Sequence, residues 1–162
     1  MGVGPWKPPG TSEVEMAAVV GCLRIALAAA TPPQTKSGVG GRTMIEDWFK
    51  VPKTASLIAK AETGQVQGVV FFRMEPPIVR ILYVAVLDPR KGLGSQLVGA
   101  LRELCSKKGV KEIRASYSQK DPRAAAFFTK KLGFADQGPA GEVLPGFPLV
   151  DAALAIPAAA GA

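Results

Sequence analysis

The hydrophobic pattern of residues 78–118 constrains the fold of this chain more than any other feature. Residues 78–87 (IVRILYVAVL) are β-branched and apolar on both faces, which is typical of a strand covered on both sides. The period then changes to that of a helix, with leucines at positions 93, 97, 101 and 104. Residues 111–118 (KEIRASYS) alternate again and predict a second strand. A strand, a helix and a strand in this order predict one parallel βαβ crossover.

Two more strands are predicted immediately before the crossover. Residues 54–61 and 66–74 flank a Thr63-Gly64 turn, and this arrangement predicts a β-hairpin. Pro76-Pro77 then separates the hairpin from the strand at 78–87. Together the three segments predict a meander of three strands.

Two helices are predicted upstream of these strands. The capping box Ser12-x-x-Glu15 precedes an alanine-rich apolar run and predicts a helix over 13–30. A second capping box, Thr43-x-x-Glu46, predicts a short helix that begins at Thr43 and ends before Pro52.

One helix and one strand are predicted after the crossover. Asp121 is a good N-cap, Pro122 suits the first helical position, and Gly133 ends this helix. A last strand is predicted near 148–156. The predicted order, α-α-β-β-β-α-β-α-β, gives an α/β (α+β) fold. Its sheet is mixed and mostly antiparallel, with one parallel crossover and helices on both faces.

The size of the chain predicts a single domain over residues 1–162. Its 162 residues, 48% of them hydrophobic, are enough for one sizeable core, and residues 1–11 and 156–162 are predicted to be disordered tails. No apolar run reaches the ~20 residues of a membrane span, so no membrane partner is expected. A cytoplasmic location is the default expectation, and a nuclear or organellar one remains open.

The absence of histidine excludes several kinds of catalytic site. The chain has no His and only two cysteines, Cys22 and Cys105, far apart in sequence. His-containing zinc sites, Ser-His-Asp triads and Cys-His pairs are therefore excluded, and no metal is expected. Cys105 lies on the middle of the helix after residue 93 and is expected to be a core residue rather than a nucleophile.

Positive charge is concentrated in one part of the chain. Residues 90–131 contain eleven basic and three acidic residues, a net charge of +8, whereas the rest of the chain carries −1. This imbalance favours an anionic partner for the basic region, either a phosphorylated cofactor or nucleic acid, although a solvated face has the same composition. Few aromatic residues are interleaved with these charges, so nucleic acid is the weaker expectation.

A glycine-containing turn joins the buried strand to the amphipathic helix. Residues 88–95 (DPRKGLGS) place Gly92 and Gly94 at the start of that helix, where exposed amides and the helix dipole favour a phosphate group. The same residues are also compatible with an ordinary tight turn that binds no ligand. A dinucleotide-binding Rossmann turn fits less well because its third glycine is missing, and a P-loop is excluded because Gly-Lys-Ser/Thr is absent.

This turn, together with a second motif, resembles the GNAT superfamily of acetyltransferases. The second motif is the helix ending at residues 125–134 (AAFFTKKLGF), about 30 residues beyond the turn, and the resemblance covers residues 54–134. It implies the GNAT fold and acetyl-CoA as acetyl donor. In that family the amides of the turn hold the CoA pyrophosphate, and backbone amides at the end of the preceding strand bind the thioester and pantetheine arm. The cofactor-binding residues implied here are Val84, Val86, Arg90, Lys91, Gly92, Leu93, Gly94, Ser95 and Phe128.

Two positions depart from the family pattern. Pro89 stands where the turn begins with Arg or Gln, and Arg90 or Lys91 is expected to supply that charge instead. Thr129 stands where many members have a tyrosine that protonates the leaving thiolate. Tyr117 is therefore the candidate acid. With no histidine in the chain, the base is either a carboxylate or a water chain. Glu75, at the turn before the 78–87 strand, is the candidate carboxylate, because some members of the family place a general base near that turn.

The resulting hypothesis is transfer of an acetyl group from acetyl-CoA to a primary amine, by direct attack in a ternary complex. The sequence leaves the amine undefined and allows a monomer or a homodimer. The alternative is a GNAT-fold domain that binds acyl-CoA, as a sensor or interaction module, without turnover. The departures at Pro89 and Thr129 favour that alternative.

Overall fold

The computed structural model describes residues 2–6, 13–29, 41–88, 92–118, 121–144 and 147–156. Seven strands and four helical segments alternate along these residues. The strands are β1 (Gly2–Trp6), β2 (Thr54–Lys60), β3 (Val66–Glu75), β4 (Ile78–Val86), β5 (Glu112–Ser118), β6 (Ala135–Leu144) and β7 (Phe147–Ala155). The helices are α1 (Glu13–Ala29), α2 (Gly41–Lys50), α3 (Leu93–Lys107) and α4 (Pro122–Ala125), and α4 continues as a π-helical segment, Ala126–Lys131.

The strands form one mixed sheet in the order β1-β2-β3-β4-β5-β7-β6. β4 and β5 are parallel and are joined through α3, whereas the other neighbouring strands are antiparallel. The fold class expected from the sequence, with its meander and one parallel crossover, is therefore confirmed.

Each face of the sheet carries its own apolar core. Alternate residues of β3 point to opposite faces, so Val70 and Phe72 contact the α3 side, and Val69 and Phe71 contact the α1 and α2 side. The leucine stripe of α3 packs as predicted, with Leu97 and Leu101 fully buried. These two cores hold β4 between helices on both faces, which is why its sequence is mostly apolar on both faces.

Three expectations about the elements were wrong. Residues 2–6, expected in a disordered tail, form β1 and pair with β2. Residues 135–144, where no strand was expected, form β6 and pair with β7. Helix α2 begins at Gly41, two residues before the capping box that was expected to start it.

Some expectations fall outside the described residues. The Ser12 cap and the tail segments 7–11 and 157–162 are among them. Among the helices that the structure describes, none combines the length and apolar character needed to cross a membrane.

Candidate active site

A cleft opens where β4 and β5 separate. The two strands pair only over residues 78–80 and 112–114. Beyond Arg80, residues 81–86 of β4 pair with β3 alone within the described chain, and the edge toward β5 has no strand neighbour. A bulge accompanies the separation, because Phe71 pairs with Tyr83 and Phe72 with Ile81, so that Leu82 has no partner on β3.

The start of α3 lies beyond this open edge of β4 along the chain. Gly92 is the N-cap residue and has a left-handed backbone, with φ of 70° and no side-chain cap. Only glycine adopts this conformation without strain, which explains the glycine in the turn. The first amides of a helix have no intrahelical acceptor, so an uncapped N-terminus of this kind is a ready site for an anion.

Ser95, in the first turn of α3, adds a second sign of an anion site. Its Oγ is buried and has no hydrogen-bond partner among the described residues. A buried hydroxyl without a partner is costly and usually has a role. Amides and a hydroxyl are groups that can bind an anion, and the assignment of a phosphate to them stays a prediction.

Three elements meet at Gly94. A Cβ atom at this position would lie 2.9 Å from Cζ of Phe127 and 3.8 Å from Cγ1 of Val84. The ring of Phe127 therefore covers the first turn of α3, and only glycine permits this close approach. β4, α3 and the π-helical segment therefore pack together at Gly94. Nothing in the local sequence distinguishes Phe127 from an ordinary core residue.

The fourth helical segment begins with a well-formed cap and ends in π-helical geometry. Asp121 Oδ1 accepts hydrogen bonds from the amides of Arg123 (3.2 Å) and Ala124 (3.1 Å). Further along, Thr129 Oγ1 donates to the carbonyl oxygen of Ala125 at 2.6 Å. The Thr129 hydroxyl proton is therefore engaged within its own helix and does not replace the missing tyrosine. Short π-helical segments often occur at functional sites.

Tyr117, the candidate acid, packs against this same segment. Its ring stacks on Phe128 with centroids 5.7 Å apart and planes inclined by 12°, and only 8% of the residue is exposed. Burial, and secondarily the charge of Asp136, raise the pKa of Tyr117. The hydroxyl therefore stays protonated at neutral pH and can donate a hydrogen bond. The Tyr117 ring therefore lies beside Phe128, the residue next to Thr129, where many members of the family have their tyrosine.

Tyr83 is the second tyrosine of the chain. It lies in the open half of β4, is half-buried, and has a pKa raised to about 12 by burial and by the nearby charge of Asp121. Tyr83 packs on the α1 and α2 side, because the bulge at Leu82 shifts the alternation of β4. Nothing in the sequence marks this bulge.

Glu75, the candidate base, lies at the turn between β3 and β4, at the end of β4 that is still paired with β5. It is exposed, pairs with Ile78 across the β3–β4 turn, and forms an ion pair of 3.4 Å with Arg80 Nε. Three residues, or about 10 Å of strand, separate Ile78 from Ile81 at the opening of the cleft. The structure therefore does not bring Glu75 together with Tyr117, and its role as a base stays a prediction.

The remaining candidate residues differ in what their side chains contribute. Leu93 is 1% exposed and Phe128 is 8% exposed, so both are part of the core, and Leu93 offers only its amide to the cleft. Val86 is half-buried in β4. Arg90 and Lys91 lie outside the described residues, as does Pro89.

The two thiols take no part in the cleft. Burial raises the pKa of both Cys22 and Cys105 to about 11, so neither is a thiolate at neutral pH. Cys105 is fully buried in the α3 core, which confirms the expectation that it is a core residue.

Comparison with known proteins agrees with this geometry. The sequence profile of the acetyltransferase (GNAT) family matches residues 19–134. That span is more than two thirds of the protein, and the chain belongs to this family. A search of curated proteins finds no match to the sequence.

Solved structures with the same fold include three acetyltransferases. Aminoglycoside 6'-acetyltransferase type Ii is 17% identical with a TM-score of 0.76, covering 97% of this chain and 98% of its own. The ribosomal-protein-S18-alanine N-acetyltransferase from Escherichia coli is 17% identical with a TM-score of 0.72, covering 99% and 96%. An aminoglycoside 6'-N-acetyltransferase complexed with coenzyme A is 16% identical with a TM-score of 0.74, covering 97% and 98%. At these identities the likeness establishes the fold.

Proposed function

We propose that this protein transfers an acetyl group from acetyl-CoA to a primary amine by direct attack in a ternary complex. The observation that carries the proposal is the cleft between β4 and β5, which opens beside an uncapped helix N-terminus. An extended strand edge suits the amide groups of a pantetheine arm, and the helix N-terminus suits its pyrophosphate. The solved structure of a similar fold with coenzyme A supports this choice of donor.

The donor side of the cleft depends mainly on backbone groups. The amides of residues 92–95 and the Ser95 hydroxyl hold the pyrophosphate, and Arg90 and Lys91 add positive charge next to it. The open edge of β4 near Val84 and Val86 orients the arm and donates hydrogen bonds to the thioester carbonyl. When bound, acetyl-CoA supplies an activated acyl group and a good leaving group.

Tyr117 stabilises the departing thiolate by donating a hydrogen bond. Its pKa is raised above the ordinary value of 10.0, whereas an ordinary thiol has a pKa of about 8.5. Complete proton transfer from the phenol to the thiolate is therefore unfavourable. An acceptor that arrives as an ammonium loses two protons in all: one passes to water before the amine attacks, and the second leaves the attacking nitrogen and reaches the departing thiolate.

The acceptor side favours a cationic amine. The charge of Asp121 raises the pKa of Tyr83 in the open half of β4, and the same carboxylate would attract an approaching ammonium group. Two of the structurally similar enzymes carry names that refer to amine acceptors, an aminoglycoside in one and a ribosomal-protein alanine in the other. Those names support an amine as acceptor class and leave the particular amine open.

A second candidate function is acyl-CoA binding without turnover. The observation that favours it is the engaged hydroxyl of Thr129, which cannot serve as the acid. The two candidates share the donor site and differ only in whether an acceptor reacts. Transfer of the acetyl group therefore has to be measured separately from binding of acetyl-CoA.

The deciding experiment has two stages. Isothermal titration with acetyl-CoA measures binding, and release of free CoA thiol is then followed with spermidine, kanamycin and a peptide with N-terminal alanine. Mass spectrometry of each amine identifies an added acetyl group. Binding with amine-dependent thiol release supports the transferase. Binding without release from any amine supports the second candidate, and absence of binding contradicts both.

A further inference from the structure

Helix α1 has an apolar surface on the side that faces away from the sheet. Its inner side packs on the sheet through Met16, Val19, Val20, Cys22 and Leu23. On the other side, Val14 is 82% exposed and Ile25 is 51% exposed, and both are among the large exposed apolar residues of the structure. A helix that is apolar on two opposite sides is usually covered on both.

The exposed apolar residues form a continuous stripe. An α-helix turns by about 100° per residue, so Val14, Gly21 and Ile25 lie within a sector of about 40° around the helix axis. Leu23 lies on the opposite side of the helix. Ala17 is exposed and lies beside that sector. A Cβ atom added at Gly21 would meet nothing within 4 Å, so the middle of the stripe is open and low enough for another helix to approach closely. We call Val14, Ala17, Gly21 and Ile25 the α1 outer stripe.

Charged residues beside the stripe indicate which partner fits it. Glu13 and Arg24 are both exposed and are eleven residues apart, so they lie on the same flank of α1, at opposite ends of the stripe. On the other flank, Glu15 is bound to Lys60 Nζ at 2.7 Å and is directed toward the sheet. The stripe therefore has one charged flank, negative at its start and positive at its end.

This pattern is complementary to itself when two copies of α1 pack antiparallel. In such a pair, equivalent flanks meet, so Glu13 of each copy lies opposite Arg24 of the other. Val14 of each copy then lies opposite Ile25 of the other, and the small residues allow close contact in the middle. A two-fold axis requires this kind of self-complementary surface.

We propose that the α1 outer stripe is the interface of an antiparallel homodimer of this protein. A membrane surface is the less suitable occupant, because interfacial helices carry several Lys or Arg beside their apolar face, and this flank balances one base with one acid. The inference does not depend on acetyl transfer, since the stripe lies on the face of α1 directed away from the sheet.

The first test measures association by sedimentation velocity between about 1 and 200 µM protein. We expect a dimer that Ile25→Glu converts to a monomer. Val51→Glu is the matched control, because Val51 is also an exposed apolar residue, at 42%, and lies outside the stripe. Circular dichroism establishes that each variant is folded. A wild-type monomer throughout this range overturns the proposal, and so does a dimer that Ile25→Glu leaves unchanged.

The second test uses charge reversal to identify the antiparallel contact. Glu13→Arg and Arg24→Glu each place like charges opposite each other twice in a homodimer, so each should weaken dimerisation at least about tenfold. An equimolar mixture of the two variants restores opposite charges at both contacts and should form a heterodimer. The double variant should also dimerise.

Two further results would count against the antiparallel homodimer, one from the charge-reversal test and one from binding to lipid vesicles. A mixture that associates no better than either single variant contradicts the antiparallel register. Binding of the wild-type protein to phosphatidylglycerol vesicles that is lost in Ile25→Glu, without dimerisation in solution, assigns the stripe to a lipid surface and overturns the proposal.

Discussion

Both halves of β4 pair with β3, but only one half also pairs with β5. Residues 78–80 are hydrogen-bonded between β3 and β5, whereas residues 81–86 pair with β3 alone in the described chain. The closed half carries Arg80, which is paired with Glu75. The open half contains the bulge at Leu82 and faces α3 and the π-helical segment. The same strand is thus paired on both sides at one end and, among the described residues, lacks a neighbour toward β5 at the other end, where the donor site is proposed.

The difference shows how a site is made without a distinctive set of side chains. A sheet whose strands separate leaves amides and carbonyls that need a partner, and a helix that begins beside them contributes its unpaired amides. Substitutions at the open half should therefore impair binding or chemistry. Equivalent substitutions at the closed half should have little effect on either.

The largest effect is expected from Gly92→Asp. The new carboxylate would lie at the N-cap, where the account places a pyrophosphate, and repulsion between them should weaken acetyl-CoA binding at least about 100-fold. Isothermal titration measures the change. Gly109→Asp is the matched control, because Gly109 has a φ of 71° beside the other end of α3 and suffers the same backbone strain. Equal losses in both variants would mean that strain, not the anion site, causes the effect.

Tyr117→Phe should give the next largest effect. Loss of a hydrogen bond to a charged leaving group should lower kcat about 10- to 100-fold, with little change in acetyl-CoA affinity. Steady-state kinetics combined with titration separate the two quantities. Tyr83→Phe is measured in parallel, since Tyr83 is the only other tyrosine and packs on the opposite face of the sheet, and it should leave acetyl-CoA affinity unchanged. An unchanged kcat in Tyr117→Phe would remove Tyr117 from the chemistry.

The two tyrosines also predict a pH dependence. In the Tyr117→Phe variant, ultraviolet titration should show Tyr83 ionising at about pH 12 rather than 10, and Asp121→Asn should lower this midpoint. Because the folded-state pKa is raised, the contribution of Tyr83 to the free energy of unfolding is constant below pH 10 and falls as the pH rises toward 12. A midpoint near 10 in the folded protein would contradict the burial of Tyr83 and its proximity to Asp121.

Glu75→Gln should have the smallest effect. Glu75 is exposed, paired with Arg80, and lies at the closed end of β4, so kcat should change less than about twofold. Glu112→Gln is a comparable control, because Glu112 is also paired with an arginine near that end. A fall in kcat of about 100-fold in Glu75→Gln alone would establish it as the base and would show that the closed half takes part in catalysis.

The sequence predicted the centre of the fold and missed both edges of the sheet. The meander and the crossover were predictable because their apolar residues repeat at strand or helix spacing. β1 (GVGPW) and β6 (ADQGPAGEVL) contain glycine and proline, which edge strands tolerate because only one side is hydrogen-bonded. Their pairing depends on β2 and β7, and local sequence does not reveal it.

The turn of the candidate site was predictable from the sequence, but the contacts around it were not. The turn at Gly92 and Gly94 was recognised because a left-handed residue and a close approach both require glycine. The contact of Phe127 with Gly94 and the proximity of Tyr83 to Asp121 depend on the bulge at Leu82 and on the path of the chain after β5. These contacts join residues distant in sequence, so no short pattern indicates them.

Hydrogen–deuterium exchange of the wild-type protein, with and without acetyl-CoA, measures whether the open half of β4 binds the donor. If the open edge of β4 and the start of α3 bind the donor, amides of residues 81–86 and 92–96 should exchange more slowly in its presence. Amides of residues 78–80, already paired on both sides, should show no change. Binding that leaves residues 81–86 unprotected, or that protects only another part of the chain, would contradict the account.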